Sequence, residues 1–170
     1  MKKIVVLLFV VMAALSAKAQ VYVGGSISFW HDDDKFETTT FSVSPEVGYN
    51  FNEKWAVGGT IGFGYDKTDD VKTTVFAIAP YARFSYYENK IVRLFIDGGF
   101  GIASSKMGDE DAVTGFEIGL KPGLAIKLNE KFSLVAKCGF LGYREDYFGN
   151  NGTGLALTSE DLSFGFHYEF

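Results

Sequence analysis

The charged residues inside the alternating segments of this chain all point to one face. Eight segments alternate between large apolar residues and small or polar ones with a period of two, the pattern of β-strands whose faces meet different surroundings. These segments are 21–30, 41–51, 55–65, 76–86, 92–102, 116–128, 132–141 and 162–170. The nine charged residues that the alternation places within them all lie opposite the large apolar residues: Glu46, Arg83, Arg93, Asp97, Glu117, Lys121, Lys127, Lys137 and Glu169. In the folded chain, the two faces of every strand must therefore meet different surroundings.

The apolar face is predicted to meet lipid. An Arg or Lys on the lipid face at mid-depth would cost roughly 2–4 kcal/mol, so the charged face is expected inside. A soluble lipocalin-like barrel would have the reverse arrangement. Only helices and closed barrels satisfy the backbone in lipid. The sequence therefore predicts an all-β fold, an eight-stranded antiparallel up-and-down transmembrane β-barrel in the bacterial outer membrane.

The charges of the predicted lumen are nearly balanced, with four acids and five bases among the nine. Glycines concentrate on the same face, and an eight-stranded barrel is only just wide enough for its side chains to fill it. Arg83 and Asp97 are expected on adjacent strands, both facing inward. We interpret the lumen as a salt-bridge and hydrogen-bond plug; the alternative is a gated or selective pore.

The connections between segments alternate in length. Three short turns share the sequence Asn-Glu-Lys or Glu-Asn-Lys and recur as a weak internal repeat, at 51–55, 87–91 and 128–132. The longer connections are predicted at 31–37, 66–72, 104–112 and about 144–160. Short periplasmic turns and longer outer loops are typical of outer-membrane barrels. An even number of strands then puts both termini on the periplasmic side.

The first 19 residues have the features of a secretory signal peptide. Lys2 and Lys3 precede an apolar run over 4–15, and Ala17-Lys18-Ala19 forms the predicted cleavage site. We expect residues 1–19 to be the signal peptide and 20–170 the outer-membrane β-barrel domain. Losing three of the 16 basic residues and none of the 21 acidic ones would change the formal charge from −5 to −8, since 13 − 21 = −8. This acidity argues against nucleic acid as a partner.

No catalytic, cofactor-binding or metal-ligating residues are predicted. Cys138 is alone, so there is no internal disulfide. A lipid-modifying enzyme would need a serine such as Ser163 or Ser133 oriented with His167, and alternation alone does not pair them. We therefore predict that the protein is not an enzyme. Acidic runs at 32–34, 69–70 and 109–111 are interpreted as solvated charge; the alternative is divalent cations that bridge lipopolysaccharide phosphates.

All three prolines, Pro45, Pro80 and Pro122, fall in mid-strand on the lipid face. Proline cannot donate to a strand ladder, and a closed barrel has no edge to hold it. The sequence therefore predicts local bulges or missing ladder bonds at these positions.

The segments 44–49 (SPEVGY) and 121–124 (KPGL), together with the aromatic last strand ending at Phe170, resemble the porin-family outer membrane β-barrel domain of the small OmpA/OmpX type. The ending also resembles the β-signal recognised by the barrel-assembly machinery. The resemblance implies a monomer among outer-membrane lipids and lipopolysaccharide in a Gram-negative envelope. We expect a structural protein for envelope integrity or surface interaction; the alternatives are a narrow porin-like channel for small solutes and a lipid-modifying enzyme.

Overall fold

The computed structural model describes residues 21–32, 38–68, 71–108, 111–147, 150–156 and 163–170. The predicted signal peptide and most of the acidic runs lie outside these residues. The described chain forms ten strands: β1 (Val21–Asp32), β2 (Thr38–Asn50), β3 (Trp55–Thr68), β4 (Val71–Glu88), β5 (Val92–Met107), β6 (Val113–Lys127), β7 (Phe132–Lys137), β8 (Phe140–Tyr147), β9 (Asn150–Ala156) and β10 (Ser163–Glu169).

Eight of these strands form a closed antiparallel ring. Each of β1 to β6 pairs with the next strand along the chain. The ring closes through β10, which pairs with both β7 and β1. The backbone N–H of Phe170 donates to the carbonyl of Val21 at 3.1 Å, so the two described ends meet at the turn side. The predicted eight-stranded barrel is confirmed. In the part of the chain that the structure describes, no helix is long and apolar enough to cross a membrane.

The three short turns share one structure. Each contains an asparagine whose side-chain oxygen accepts hydrogen bonds from the backbone two and three residues later, an arrangement that holds the chain in a turn. The three asparagines and their donors are Asn52 with Lys54 and Trp55, Asn89 with Ile91 and Val92, and Asn129 with Lys131 and Phe132, all at 2.7–2.9 Å. The weak internal repeat in the sequence is therefore a repeat of turn geometry.

Each proline marks a break in the ladder on one side, as predicted. The β2–β3 register omits Pro45, between Val43↔Phe63 and Glu46↔Thr60. The β4–β5 register omits Pro80, between Ile78↔Ile102 and Tyr81↔Gly99. At Pro122 the partner of β6 changes from β7 to β8, and the proline itself is unpaired on that side. Its carbonyl accepts a hydrogen bond from the N–H of Cys138 at 3.0 Å.

The seventh segment departs from the predicted alternation. The strand breaks at Cys138 and Gly139, where Gly139 has φ +74°, a left-handed conformation that glycine adopts at little cost. The extra residue shifts the phase, so that Phe140 is buried in the lumen and Leu141 is exposed on the outer face. Unbroken alternation over the predicted segment 132–141 places Phe140 on the lipid face and Leu141 inside, so the prediction for these two residues was wrong.

The strands also extend further than predicted at the loop end. β4 has 18 residues, whereas a tilted membrane strand needs about 9–11. Residues 66–68 and 71–72, expected in a loop, belong to β3 and β4. Residues 104–107 belong to β5, and residues 144–147 of β8 pair with β9 inside the last predicted loop. Cross-strand pairing overrides the polar composition that suggested loops.

The barrel has an apolar outer face and a filled interior. Large apolar side chains such as Ile61, Phe100 and Ile118 are about half exposed on the outside. Inside, glycines leave room for rings: a Cβ on Gly123 would lie 2.5 Å from the ring of Phe95. This packing brings long side chains from opposite walls together at the barrel axis.

Candidate functional site

A layer of charged side chains crosses the lumen, and its centre is Arg83. Antiparallel pairing of β4 with β5 sets Arg83 directly opposite Asp97. The guanidinium donates to both oxygens of this carboxylate, from Nε at 2.6 Å and from Nη2 at 2.8 Å. Nη2 also donates to Oε1 of Glu46 at 3.0 Å. Arg83 thus joins two acids that stand on different strands.

Aromatic side chains enclose this cation. The centre of the Arg83 guanidinium lies 4.0 Å from the centroid of the Phe95 ring and 5.2 and 5.5 Å from the rings of Tyr81 and Tyr22. The two tyrosine hydroxyls are 2.6 Å apart, and that of Tyr81 donates to Glu46. Cation–π contacts of this kind stabilise a charge that has lost its water.

His167 completes the layer from β10. Its Nε2 lies 3.1 Å from Oε1 of Glu46, its Nδ1 lies 3.4 Å from Nη1 of Arg83, and its ring stacks on Tyr22 at 4.8 Å. Although Ser133 pairs with His167 in the ladder, the contacts of the imidazole nitrogens are with an acid and a cation. This is not the nucleophile–base arrangement that catalysis by serine and histidine requires.

The central layer is defined as Tyr22, Glu46, Tyr81, Arg83, Phe95, Asp97 and His167, and all of these side chains except the partly exposed Tyr81 are buried. Phe95 is 0% exposed, Tyr22 1% and Arg83 2%. In the described residues no buried side-chain nitrogen or oxygen lacks a hydrogen-bond partner. The layer is therefore a satisfied polar network that blocks the barrel axis.

A second group of charges, the upper layer, lies towards the loop end. Glu117 on β6 accepts hydrogen bonds from Lys121 and, at 3.0 Å, from Nε of Arg144 on β8. The guanidinium of Arg144 lies 3.8 Å from the centroid of the Phe140 ring, and the ammonium of Lys121 lies 5.7 Å from it. Lys137 connects the two layers, since its Nζ is 3.0 Å from Glu46 and 3.1 Å from Asp97.

The third group, the periplasmic layer, closes the turn end. Arg93 contacts Glu88 at 2.8 Å and Glu169 at 3.0 Å, and Lys127 also pairs with Glu88. These side chains are partly exposed, unlike those of the central layer.

All nine charges that the alternation assigned to the lumen are found in ion pairs, which confirms the predicted self-neutralising interior. Two further partners, Glu88 and Arg144, were not among the residues predicted to face the lumen. Glu88 was placed in a turn and Arg144 in a loop. A register shift between Ser85 and Tyr87 turns Glu88 inward, and the break at Gly139 does the same for Arg144. The adjacent aromatic residues 86 and 87 were the available signal for the first shift.

No group of three His, Cys, Asp or Glu side chains suited to a metal occurs among the described residues. The acidic positions 33–34, 69–70 and 109–110 lie outside that part of the chain. Cys138 is a free thiol at the strand break. The candidate site is therefore the lumen itself, with its three charged layers.

Comparison with known proteins gives a family and a fold. Residues 4–170 match the family described as outer membrane protein beta-barrel domain. The outer membrane protein Ail of Yersinia pestis, solved in a phospholipid bilayer nanodisc, is similar over 89% of this chain and 99% of its own, with 17% identity and a TM-score of 0.55. Neisserial surface protein A is similar over 89% of this chain and 95% of its own, with 13% identity and a TM-score of 0.52. No curated protein sequence matches the chain.

Proposed function

The chain belongs to the outer membrane protein beta-barrel domain family and lies in the bacterial outer membrane, and we propose that it is a structural protein with a closed lumen. Its role is to contribute to envelope integrity or to surface interaction. The observation that carries this proposal is the sealed central layer, in which Arg83, Glu46 and Asp97 are paired and almost fully buried.

Energetics favour a permanent closure. A charge taken out of water is tolerated only with excellent geometry and further hydrogen bonds. Asp97 has both oxygens bonded to Arg83, and Glu46 accepts from Arg83, Lys137 and Tyr81. Opening a path for solutes would have to break several of these bonds at once, so the network supports a structural role over conduction.

The proposal extends to the surroundings of the barrel. The outer face contacts outer-membrane lipids and lipopolysaccharide as a monomer, and the last strand, ending at Phe170, is recognised by the barrel-assembly machinery during insertion. It involves no nucleic acid, no cofactor and no catalytic step. The signal peptide at residues 1–19 directs export of the barrel domain at 20–170.

A deletion strain of the native bacterium tests the role. We expect loss of the protein to increase entry of a large hydrophobic dye and sensitivity to detergent, and we expect the wild-type gene to restore both. A narrow pore predicts a different result: slower uptake of small hydrophilic solutes, with dye entry and detergent sensitivity unchanged. That second result would overturn the proposal.

A further inference from the structure

A cavity of about 360 Å³ lies on the loop side of the central layer, and its wall includes Lys121, Lys137 and Arg144. We propose that this cavity binds a small organic anion carrying a phosphate or carboxylate group. The proposal goes beyond the structural role, because a barrel that does not conduct can still hold a ligand above its closed layer.

Glu46, which lines the cavity, and Asp97 and Glu117, which pair with its cations, have no carboxylate oxygen left without a donor. Glu46, Asp97 and Glu117 each accept hydrogen bonds at both carboxylate oxygens. The donors are Arg83, Lys137 and Tyr81 for Glu46, two nitrogens of Arg83 for Asp97, and Lys121 and Arg144 for Glu117. Lys137 also forms an ion pair with Asp97. A ligand in the cavity therefore meets carboxylates that are already neutralised.

The cations beside the cavity keep unused donors. An ammonium has three N–H groups and a guanidinium five. Lys121 uses one in its bond to Glu117, and Arg144 uses only Nε, with no partner for its Nη groups found among the described residues. The cations of this group outnumber the acids that they pair with, since Arg83, Lys121, Lys137 and Arg144 share Glu46, Asp97 and Glu117.

Solvent reaches the cationic groups and not the acids. The side chains of Lys121, Lys137 and Arg144 are 34%, 21% and 21% exposed. Those of Glu117, Glu46 and Asp97 are 3%, 6% and 4% exposed. Because the central layer is sealed below, the cavity presents a positive surface to molecules that enter from the loop end.

The size and donor set indicate the class of ligand. Small-molecule pockets usually measure about 300–1,000 Å³, so this cavity accepts a small solute rather than a chain. The guanidinium fork of Arg144 suits two oxygens of a phosphate or carboxylate. Lys121 lies beside it, because both groups contact the same carboxylate of Glu117.

Titration calorimetry on the refolded barrel in phosphatidylcholine vesicles tests the site, with pyrophosphate and citrate as probes. We expect one site per barrel and an affinity that falls as salt increases. No heat of binding with millimolar concentrations of either probe would overturn the proposal.

Repeating the titration in phosphatidylglycerol vesicles identifies the source of the anion: weaker binding there means that lipid headgroups compete for the site, and unchanged binding means that the site takes a free solute. Either result supports an anion site.

Two variants locate the binding. Lys121→Gln removes one positive charge, and we expect about tenfold weaker binding, the effect of about 1.4 kcal/mol. Thr60→Asp removes no member of an ion pair and adds a negative charge to the cavity wall, so it should weaken binding at least as much. Lys127→Gln, in the periplasmic layer, is the matched control and should bind normally. Equal affinity in all three variants would contradict an anion site in this cavity. Bilayer conductance is measured separately and tests only whether the lumen is closed, so the two proposals can fail independently.

Discussion

Arg83 joins more partners than any other side chain described in the central layer. Its guanidinium bonds to Asp97 through two nitrogens, to Glu46 through one, and packs on the ring of Phe95. Removing one partner of a buried ion pair is costly because the other charge stays buried and loses its compensation.

Replacing Arg83 with Met keeps most of the side-chain volume and removes the charge. We expect the free energy of unfolding to fall by about 3–5 kcal/mol. The matched control is Lys127→Met, in which the lost pair with Glu88 is partly exposed, and its cost should stay below about 1 kcal/mol. Urea unfolding of both variants in lipid vesicles measures the difference. Similar costs for the two variants would show that the buried layer does not stabilise the barrel.

Gly48 provides a second test, since it makes room for Tyr22. A Cβ at this position would lie 2.6 Å or less from atoms of the Tyr22 ring, which is held by stacking on His167 and by a hydrogen bond to Tyr81. Gly48→Ala should therefore destabilise the barrel by about 1–3 kcal/mol. Gly59→Ala is the control, because a Cβ there meets nothing within 4 Å, and it should be neutral or slightly stabilising. Equal unfolding midpoints would argue against a tightly filled lumen.

Side-chain partners were predictable where they stand on adjacent strands. The alternation puts Arg83 and Asp97 inward on neighbouring strands, and the structure sets them opposite each other. The bonds from Glu46 to Arg83 and Lys137 join strands that do not pair with each other. Barrel diameter and strand tilt determine such contacts. The two-residue alternation in the sequence gives no information about either of them.

Among the strands, the departures from regular alternation are as informative as the alternation. The shift between Ser85 and Tyr87 and the break at Gly139 each reverse the inward and outward positions beyond them. One extra residue moves every later side chain to the other face. The sequence analysis predicted breaks at the prolines from their missing N–H, but it had no comparable rule for residues 85–87.

The last strand supplies a prediction about assembly in cells. Phe170→Ala should lower the amount of protein in the outer membrane severalfold, because it removes the terminal aromatic residue of the proposed β-signal. Phe164→Ala, on the exposed outer face of the same strand, should have a much smaller effect. Fractionation of cells expressing each variant measures insertion, and refolding into vesicles without the assembly machinery should be similar for both. Equal loss in cells would contradict a role for Phe170 in recognition.

The barrel as a whole is a closed wall around three charged layers. The central layer is sealed, the periplasmic layer is partly exposed at the turn end, and the upper layer borders a cavity at the loop end. The one-sided placement of charge was enough to predict the closed barrel and the paired, nearly balanced charges of its interior. The division into layers depends on Glu88 and Arg144, which only the strand irregularities turn inward.

Single-channel recording of the refolded barrel in a planar lipid bilayer tests closure of the lumen most directly. Because Arg83, Glu46 and Asp97 are bonded together across the axis, we expect the baseline current of the bilayer with no discrete openings. Stable, well-defined openings of uniform size would contradict the closed lumen and identify the protein as a channel.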